Sequence, residues 1–396
     1  MLSPQIRQYL IITGNYWAFT LTDGALRMLV VLHFHQLGFS PLSLAMLFLF
    51  YEIFGVITNL VGGWLGARIG LNKTMNIGLA LQVLALLVLT VPAGMLTVAW
   101  VMAAQALSGI AKDLNKMSAK SSIKALLPKG EEGRLYQWVA LLTGSKNALK
   151  GVGFFLGGVL LSALGFTGAI WLLASALCLV WLASMLCLKQ DLGKAKNKPK
   201  FADIFSKSRP VNVLSLARLF LFGARDVWFV VALPVYMATR LGWSDWSIGA
   251  FFAAWVIAYG IVQSLAPRLT GKHPDGKSAL RWALPLAMIP AAIALGLSEP
   301  RVLLLGLAVF GVLFAINSSL HSYLIVSYAK EDGASLDVGF YYMANAMGRL
   351  ISTVLSGWVY QSAGLTACLW ISAAFVALAA LISLALPTAL ATGQKM

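Results

Sequence analysis

Long apolar runs separated by short polar gaps dominate this chain. A helix needs about 20 mostly apolar residues to cross the hydrocarbon core of a bilayer. Twelve runs are predicted to do so: 9–35, 42–66, 74–93, 97–122, 135–163, 167–188, 211–238, 244–267, 280–298, 301–328, 338–361 and 365–388, numbered spans 1 to 12. An even number returns both termini to one side. One set of gaps carries Arg68, Lys73, Lys129, Arg134, a basic run from Lys189 to Arg209, then Arg268, Lys272, Lys277, Arg281 and Lys330, while the alternate gaps carry only Arg240 and Arg301. Membrane proteins retain Lys and Arg on the cytoplasmic side, so both termini are predicted to be cytoplasmic. Met1 to Gln8 are too few for the anatomy of a signal peptide, and span 1 is expected to stay uncleaved.

The one long polar stretch, Lys189 to Pro210, divides the runs six and six. It is predicted to be a cytoplasmic linker (189–210) with few contacts, between a six-helix bundle over 1–188 and a second over 211–396. The halves also repeat. Leu37-Gly38-Phe39-Ser40 with Ser43 and Phe48 returns as Leu241-Gly242-Trp243-Ser244 with Ser247 and Phe252, an offset of 204, and Asp23 has a counterpart in Asp226 one residue out of that register. Two related halves joined by a linker are how many secondary transporters are built.

Composition narrows the class further. Of 396 residues 59% are hydrophobic and 11% charged, against about 25% charged in soluble proteins. The formal charge of +16 does not point to nucleic acid, which needs its cations gathered on one soluble face. Cys178, Cys187 and Cys368 lie in or beside apolar runs without metal-ligand spacing, so neither a disulfide framework nor a metal site is expected.

A second group of charges lies inside the runs, where each costs about 2.5–3.5 kcal/mol on insertion scales. Span 1 holds Asp23 and Arg27, span 2 Glu52, and span 4 Lys112, Asp113, Lys116 and Lys120. Span 5 holds Lys146 and Lys150, span 7 Arg218, Arg225 and Asp226, and span 11 Arg349. Nine basic groups face four acidic ones, while the interiors of spans 3, 6, 9 and 12 carry none. Helical spacing gathers them into stripes. Tyr16, Thr20, Asp23 and Arg27 share a face, as do Gln105, Lys112, Lys116 and Lys120. Arg218 and Arg225 form another pair, and Tyr342, Asn345 and Arg349 another group. On span 5, Lys146 and Lys150 share a face with Gly153 and Gly157, a GxxxG that admits a neighbouring backbone closely.

The deep cations outnumber their carboxylates, which points to an anion. Candidate substrate-binding residues are Arg27, Lys112, Lys116, Lys146, Lys150, Arg225 and Arg349, with Tyr16, Gln105, Asn345 and His321 beside them; Asp23, Glu52, Asp113 and Asp226 are candidate ion-pair or coupling residues. Asp23 with Arg27 also has the spacing of an internal ion pair. Lys120 and Lys124 sit close enough to a span end to snorkel. Asn317 is a polar candidate on span 10, and His33 and His35 give weaker signals.

Gly271-Lys-His-Pro-Asp-Gly276-Lys277-Ser278 matches the nucleotide-binding pattern GxxxxGK[ST]. That chemistry needs a preceding strand and a soluble domain around it, and this segment joins two spans. No catalytic constellation is present, so no enzymatic activity and no cofactor are expected.

Gly63-Trp-Leu65-Gly66-Ala67-Arg68-Ile-Gly70, between spans 2 and 3, resembles the cytoplasmic gating motif of the major facilitator superfamily. Ala67 stands where that motif has an aspartate, which removes its usual charge relay. Twelve helices in two repeated halves fit the same all-α architecture. In it helices 1, 4, 7 and 10 line a cavity, 2, 5, 8 and 11 flank it and the other four face lipid; those four carry no interior charge in this chain, and neither do spans 8 and 10.

Within that superfamily the chain resembles the ArsJ-type organoarsenical efflux permeases. The resemblance is strongest in Thr20-Leu-Thr-Asp-Gly-Ala-Leu-Arg27, His33-Phe-His35, Ala106-Leu-Ser-Gly-Ile-Ala-Lys112-Asp113 and Thr143-Gly-Ser-Lys-Asn-Ala-Leu-Lys150-Gly-Val-Gly153. It implies export of 1-arseno-3-phosphoglycerate across a bacterial inner membrane, and hence arsenate resistance. An organophosphate or phosphate exchanger of the same fold would need similar cations. The partners expected are a small anionic substrate, the bilayer and a coupling proton or counter-anion, with no nucleic acid; the chain is expected to be a monomer.

Replacing Lys277 with Ala should leave transport within about twofold of the original, because no phosphate-cradling domain surrounds it. Vesicle flux, with a nucleotide-binding assay on purified protein, checks this.

Overall fold

The computed structural model describes residues 3–38, 47, 49–128, 130–188 and 192–388. Phe39, Ser40, Ser43 and Phe48 of the repeated motif and the loop cations Lys129 and Lys189 lie outside the described residues, as does the side chain of His35. Regular structure among the described residues is entirely helical. Span 1 is Pro4–Gln36, span 2 Leu49–Ile69, span 3 Leu71–Val88 and span 4 Val98–Leu126. Spans 8, 9 and 10 are Asp245–Thr270, Gly276–Leu295 and Pro300–Tyr328.

Two helical runs are too long for one crossing. Glu132–Cys187 would extend about 84 Å as one straight helix, against a hydrocarbon core of about 30 Å. It leaves helical geometry at Gly165 (φ 68°), which separates spans 5 and 6. Ala334–Ser383 does the same at Gly364 (φ 76°), separating spans 11 and 12. Span 7 is broken into Arg209–Phe229 and Ala232–Arg240. Pro234 explains the break, since it has no N–H to offer the carbonyl of Val230. The Ala232 N–H donates to Ser356 Oγ (3.1 Å).

The repeat is visible in the turns. Left-handed glycines stand at Gly38 and Gly242, Gly70 and Gly271, Gly130 and Gly333, and Gly165 and Gly364. Each pair occupies the same loop of its half, and only glycine enters that region without strain.

Contacts group the chain into two compact units, 1–130 with 145–205 and 329–340, and 131–144 with 206–328 and 341–396. In the first, glycines bring backbones together. A Cβ on Gly24 would lie 2.9 Å from the Lys150 carbonyl, and one on Gly153 would lie 2.9 Å from that of Leu21. Span 1 and the lysine-bearing face of span 5 thus meet through the predicted GxxxG. On span 4, a Cβ on Gly109 would meet the Tyr51 carbonyl at 2.9 Å. Lysines on spans 4 and 5 are thereby held in depth by main-chain contact, which side-chain repacking cannot relax.

The second unit is built on aromatic packing. Trp228, Phe310 and Phe314 are almost fully buried; Phe310 and Phe314 stack at 5.4 Å, and Trp228 meets Phe310 edge-on at 5.2 Å. Spans 7 and 11 approach at Gly348, where a side chain would strike the Leu219 carbonyl. Asp275 caps span 9, accepting from the Ser278 N–H (3.0 Å) and hydroxyl (3.2 Å). A carboxylate therefore already takes up the donors with which a nucleotide loop would hold phosphate.

The linker departs from expectation. Among its described residues, the Ala195 N–H donates to the Ala67 carbonyl (2.8 Å) and the Leu192 carbonyl accepts from the Leu71 N–H (2.8 Å). The Lys196 N–H donates to Asp332 Oδ1 (2.8 Å), and the Trp64 indole N–H donates to the Pro199 carbonyl (3.1 Å). The stretch is a strap pinned to the first unit, because its small residues expose main-chain groups that the span 2–3 loop can pair. Ala67, which lacks the motif's carboxylate, takes part through its carbonyl. Replacing Asp332 with Ala should loosen the strap by about 1 kcal/mol, raising trypsin cleavage at Lys196 and Lys198 about fivefold in inside-out vesicles. Unchanged cleavage rates would show that the strap opens independently of Asp332.

Candidate functional site

The intramembrane charges fall into two clusters, one in each unit. In the first, Tyr51 of span 2 lies at the centre and is almost wholly buried. Its hydroxyl donates to Asp23, 3.1 Å from each carboxylate oxygen, and the Ser108 hydroxyl reaches Oδ1 at 3.4 Å. The Lys112 ammonium sits 3.7 Å from the centroid of the Tyr51 ring, and the Arg27 guanidinium 5.1 Å from it. Arg27 pairs with Glu52 (3.7 Å), and Lys116 with the buried Asp113 (2.6 Å). Asp113 Oδ2 lies against Gly55 of span 2 and has no hydrogen-bond partner among the described residues.

Lys146 and Lys150 complete this cluster from span 5. Lys146 donates to Asn147 Oδ1 (3.3 Å), and Lys150 lies 5.9 Å from the Phe154 centroid. Among the described residues neither forms an ion pair. They nevertheless stand within the field of their neighbours: Lys116, Asp23, Lys120 and Lys112 act on Lys146, and Arg27, Lys146, Asp23 and Lys112 act on Lys150. Six cations therefore belong to a cluster with three carboxylates, a surplus of positive charge.

The second cluster is smaller and more tightly paired. Asp226 of span 7 is 0% exposed and joins two arginines. Arg225 places Nε and Nη2 each 2.6 Å from Oδ1, while Arg349 of span 11 donates through Nε to Oδ2 at 2.9 Å. Arg225 also lies over Phe222 (5.0 Å) and Phe314 (5.4 Å). Arg218, one turn-pair earlier, is buried; its Nε donates to Asn345 Oδ1 (2.8 Å), its Nη1 reaches the Ser318 carbonyl (3.3 Å), and it packs over Phe222 at 3.7 Å.

The other sequence candidates fall as follows. Tyr16 and Gln105 are buried in the first unit, where the Tyr16 carbonyl accepts from Thr20 and Gln105 Nε2 has no partner among the described residues. Tyr342 is buried in the second unit, and so is His321, whose Nδ1 is without a partner among the described residues. Asn317 donates to the Trp282 and Leu313 carbonyls (2.8 and 2.9 Å), which gives it a role in packing spans 9 and 10. His33 stacks on Phe166 at 4.2 Å. A cavity of about 640 Å³ in the second unit, lined by Tyr236, Arg240, Tyr360 and Gln361, contains none of these cations.

Sequence reasoning missed Tyr51 and Ser108. Tyr51 precedes Glu52 and Ser108 lies on the Gln105–Lys112 face, but no spacing within one helix shows their contact with Asp23, which the packing of spans 1, 2 and 4 reveals.

Twelve spans in two repeated halves, with charge confined to particular helices, define a polytopic membrane transporter. The chain belongs to the Major Facilitator Superfamily: the family model matches residues 10–334 and 214–394. Solved structures share this fold. The human organic anion transporter MFSD10 (TETRAN) superposes with a TM-score of 0.79 at 17% identity, covering 96% of this chain and 100% of that one. The transporter FucP in its outward conformation gives 0.75 at 14%, covering 96% and 98%. An outward-facing bacterial homologue of the iron transporter ferroportin gives 0.74 at 14%, covering 95% and 98%. No curated protein sequence matches the chain.

The two clusters should respond differently to mutation. Lys146→Ala and Lys150→Ala should each reduce transport at least about tenfold while the ligand-free melting temperature holds or rises, because like-charge repulsion is relieved. Asp226→Ala should destabilise the protein by about 3–5 kcal/mol, since it strands two arginines. Thermal unfolding in detergent beside vesicle flux separates these outcomes.

Proposed function

We propose that this chain exports a small, highly charged organic anion by alternating access. The observation that carries the reading is the surplus of cations in spans 1, 4, 5, 7 and 11, with Lys146 and Lys150 outside any ion pair among the described residues. A cation with no fixed counter-charge in hydrocarbon is costly, and a transported anion supplies the missing charge. A non-transporting scaffold would have no use for such groups, and an exporter of cations would need carboxylates to dominate.

The proposed substrate is 1-arseno-3-phosphoglycerate, with arsenate resistance as the consequence. The support is the resemblance of the charged helix strings to organoarsenical permeases and the chemistry of the ligand. Its two oxyanionic ends suit separate ammonium and guanidinium groups, which bind phosphate-like oxygens through charge-assisted hydrogen bonds. Arg27, Lys112, Lys116, Lys146 and Lys150 are the first unit's candidate cations for such an anion, and Arg225 and Arg349 those of the second. Tyr16, Gln105, Asn345 and His321 would offer neutral hydrogen bonds. The human relative's description as an organic anion transporter agrees with the charge, not with the arsenical. The protein would sit in a bacterial inner membrane as a monomer with both termini cytoplasmic, exchanging its substrate for a proton or counter-anion.

Uptake into everted vesicles decides between substrates. The arseno-phospho ester, generated in place from arsenate by glyceraldehyde-phosphate dehydrogenase, should accumulate at least about tenfold faster than 3-phosphoglycerate or inorganic phosphate, a margin one additional charge-assisted contact would give. Equal rates for plain phosphate esters would make the protein an organophosphate exchanger, and no anion uptake would overturn the reading.

A further inference from the structure

Asp23 and Lys146 stand 203 residues before Asp226 and Arg349, so the carboxylate of the first span and the cation of the fifth recur together in each half. In the second unit this pair is closed, with Arg349 Nε 2.9 Å from Asp226. In the first it is open. Asp23 is held by Tyr51 and Ser108, and Lys146 forms no ion pair among the described residues. The carboxylate is nonetheless near enough to act on both Lys146 and Lys150.

The sequence explains the difference. Counting 203 or 204 positions on from Tyr51 reaches Ala254 or Trp255, and from Ser108 reaches Gly311 or Val312. None has a hydroxyl, and the Trp255 indole N–H is committed to the Leu307 carbonyl (3.0 Å). The second half lacks both donors that hold the carboxylate in the first, and there the carboxylate has gone to its cation. A buried carboxylate needs donors from somewhere. If hydroxyls supply them, the ammonium groups keep their charge available for something else.

We propose that Tyr51, assisted by Ser108, is a positioning residue that holds Asp23 away from Lys146 and so keeps the first unit's lysines open to an external anion. The proposal rests on the anion-transport reading above and adds the device that prevents the site from neutralising itself. Asp23 is a tethered competitor of the substrate. With its hydroxyl donors in place it stays with Tyr51; without them it closes on Lys146 as Asp226 closes on Arg349. The ring of Tyr51 meanwhile carries the Lys112 ammonium on its face, a contact that phenylalanine would retain, so the hydroxyl can be tested apart from the ring.

The test is titration calorimetry of the full-length purified protein with 3-phosphoglycerate and with arsenate, beside ligand-free thermal unfolding. Tyr51→Phe should weaken anion binding about tenfold or more while the melting temperature stays close to the original, because the freed carboxylate gains an ion pair. Ser108→Ala should weaken it in the same direction but less, and serves if Tyr51→Phe does not fold. Adding Asp23→Asn to Tyr51→Phe should restore binding, since the asparagine no longer competes as an anion. Unchanged affinity in Tyr51→Phe, or failure of Asp23→Asn to rescue it, would overturn the proposal while leaving the anion site standing. Absence of anion binding in the original protein would remove the functional reading and this inference with it.

Discussion

A charge carried into hydrocarbon must be matched by another charge or by donors, because no water is there to solvate it. Most features of this protein's interior answer that demand. Arg27 has Glu52, Lys116 has Asp113, and Asp226 has two arginines. Where the match is incomplete, at Lys146 and Lys150, the lysines lie on the helix face whose glycines press against span 1. Main-chain contact there keeps the helix from rotating its lysines elsewhere. The close glycine packing and the electrostatic imbalance are parts of one arrangement, in which rigid backbone holds side chains that would otherwise seek other surroundings.

The two halves meet the demand with different chemistry although they descend from one pattern. The left-handed glycines recur at equivalent loops, and the Asp23 and Lys146 positions recur as Asp226 and Arg349. Yet the second half uses arginine, whose planar fork fixes a carboxylate at defined angles and packs flat on aromatic rings. Phe222 and Phe314 provide those rings. The first half uses lysine, a compact charge on a flexible stem that accepts ligands in many geometries. Divergence has fallen on the side chains that touch charge, while the turns have stayed alike.

The fold was legible because it is written in long periodic features. Span lengths, loop cations and the repeat of Leu37-Gly38 in Leu241-Gly242 all survive local noise. Hydropathy by itself was less complete. Among the described residues seven helical runs pass a test of length and apolarity, and Pro4–Gln36, Leu49–Ile69 and Val98–Leu126 are not among them. Those three carry Asp23, Arg27, Glu52, Lys112, Asp113, Lys116 and Lys120, and charge within a run lowers its apolarity. The helical stripes placed Lys112, Lys146 and Lys150 in one cluster's reach, but they could not say which carboxylate meets which cation. Asp23 with Arg27 at i, i+4 was a fair expectation from one helix. The contact of Asp23 with Tyr51 depends on how span 2 lies across span 1, and no one-helix spacing encodes that. The strap over 192–205 was missed for the same reason: its bonds are made by main-chain atoms, which every residue has and no sequence advertises.

The strap also bears on the altered motif between spans 2 and 3. An aspartate at position 67 would carry a charge into that loop and could pair with a moving helix. Ala67 cannot, and its carbonyl instead accepts from Ala195 while Asp332, from the loop between spans 10 and 11, accepts from Lys196. The carboxylate missing from one loop is thus present on another, and the linker's main chain spans the distance. These bonds are main-chain donors meeting a carbonyl and a carboxylate, worth about 1 kcal/mol each. A joint built this way depends on the linker's main chain more than on the charge of any one side chain. Its motif can therefore lose the aspartate without losing the joint that Gly63 and Gly70 maintain.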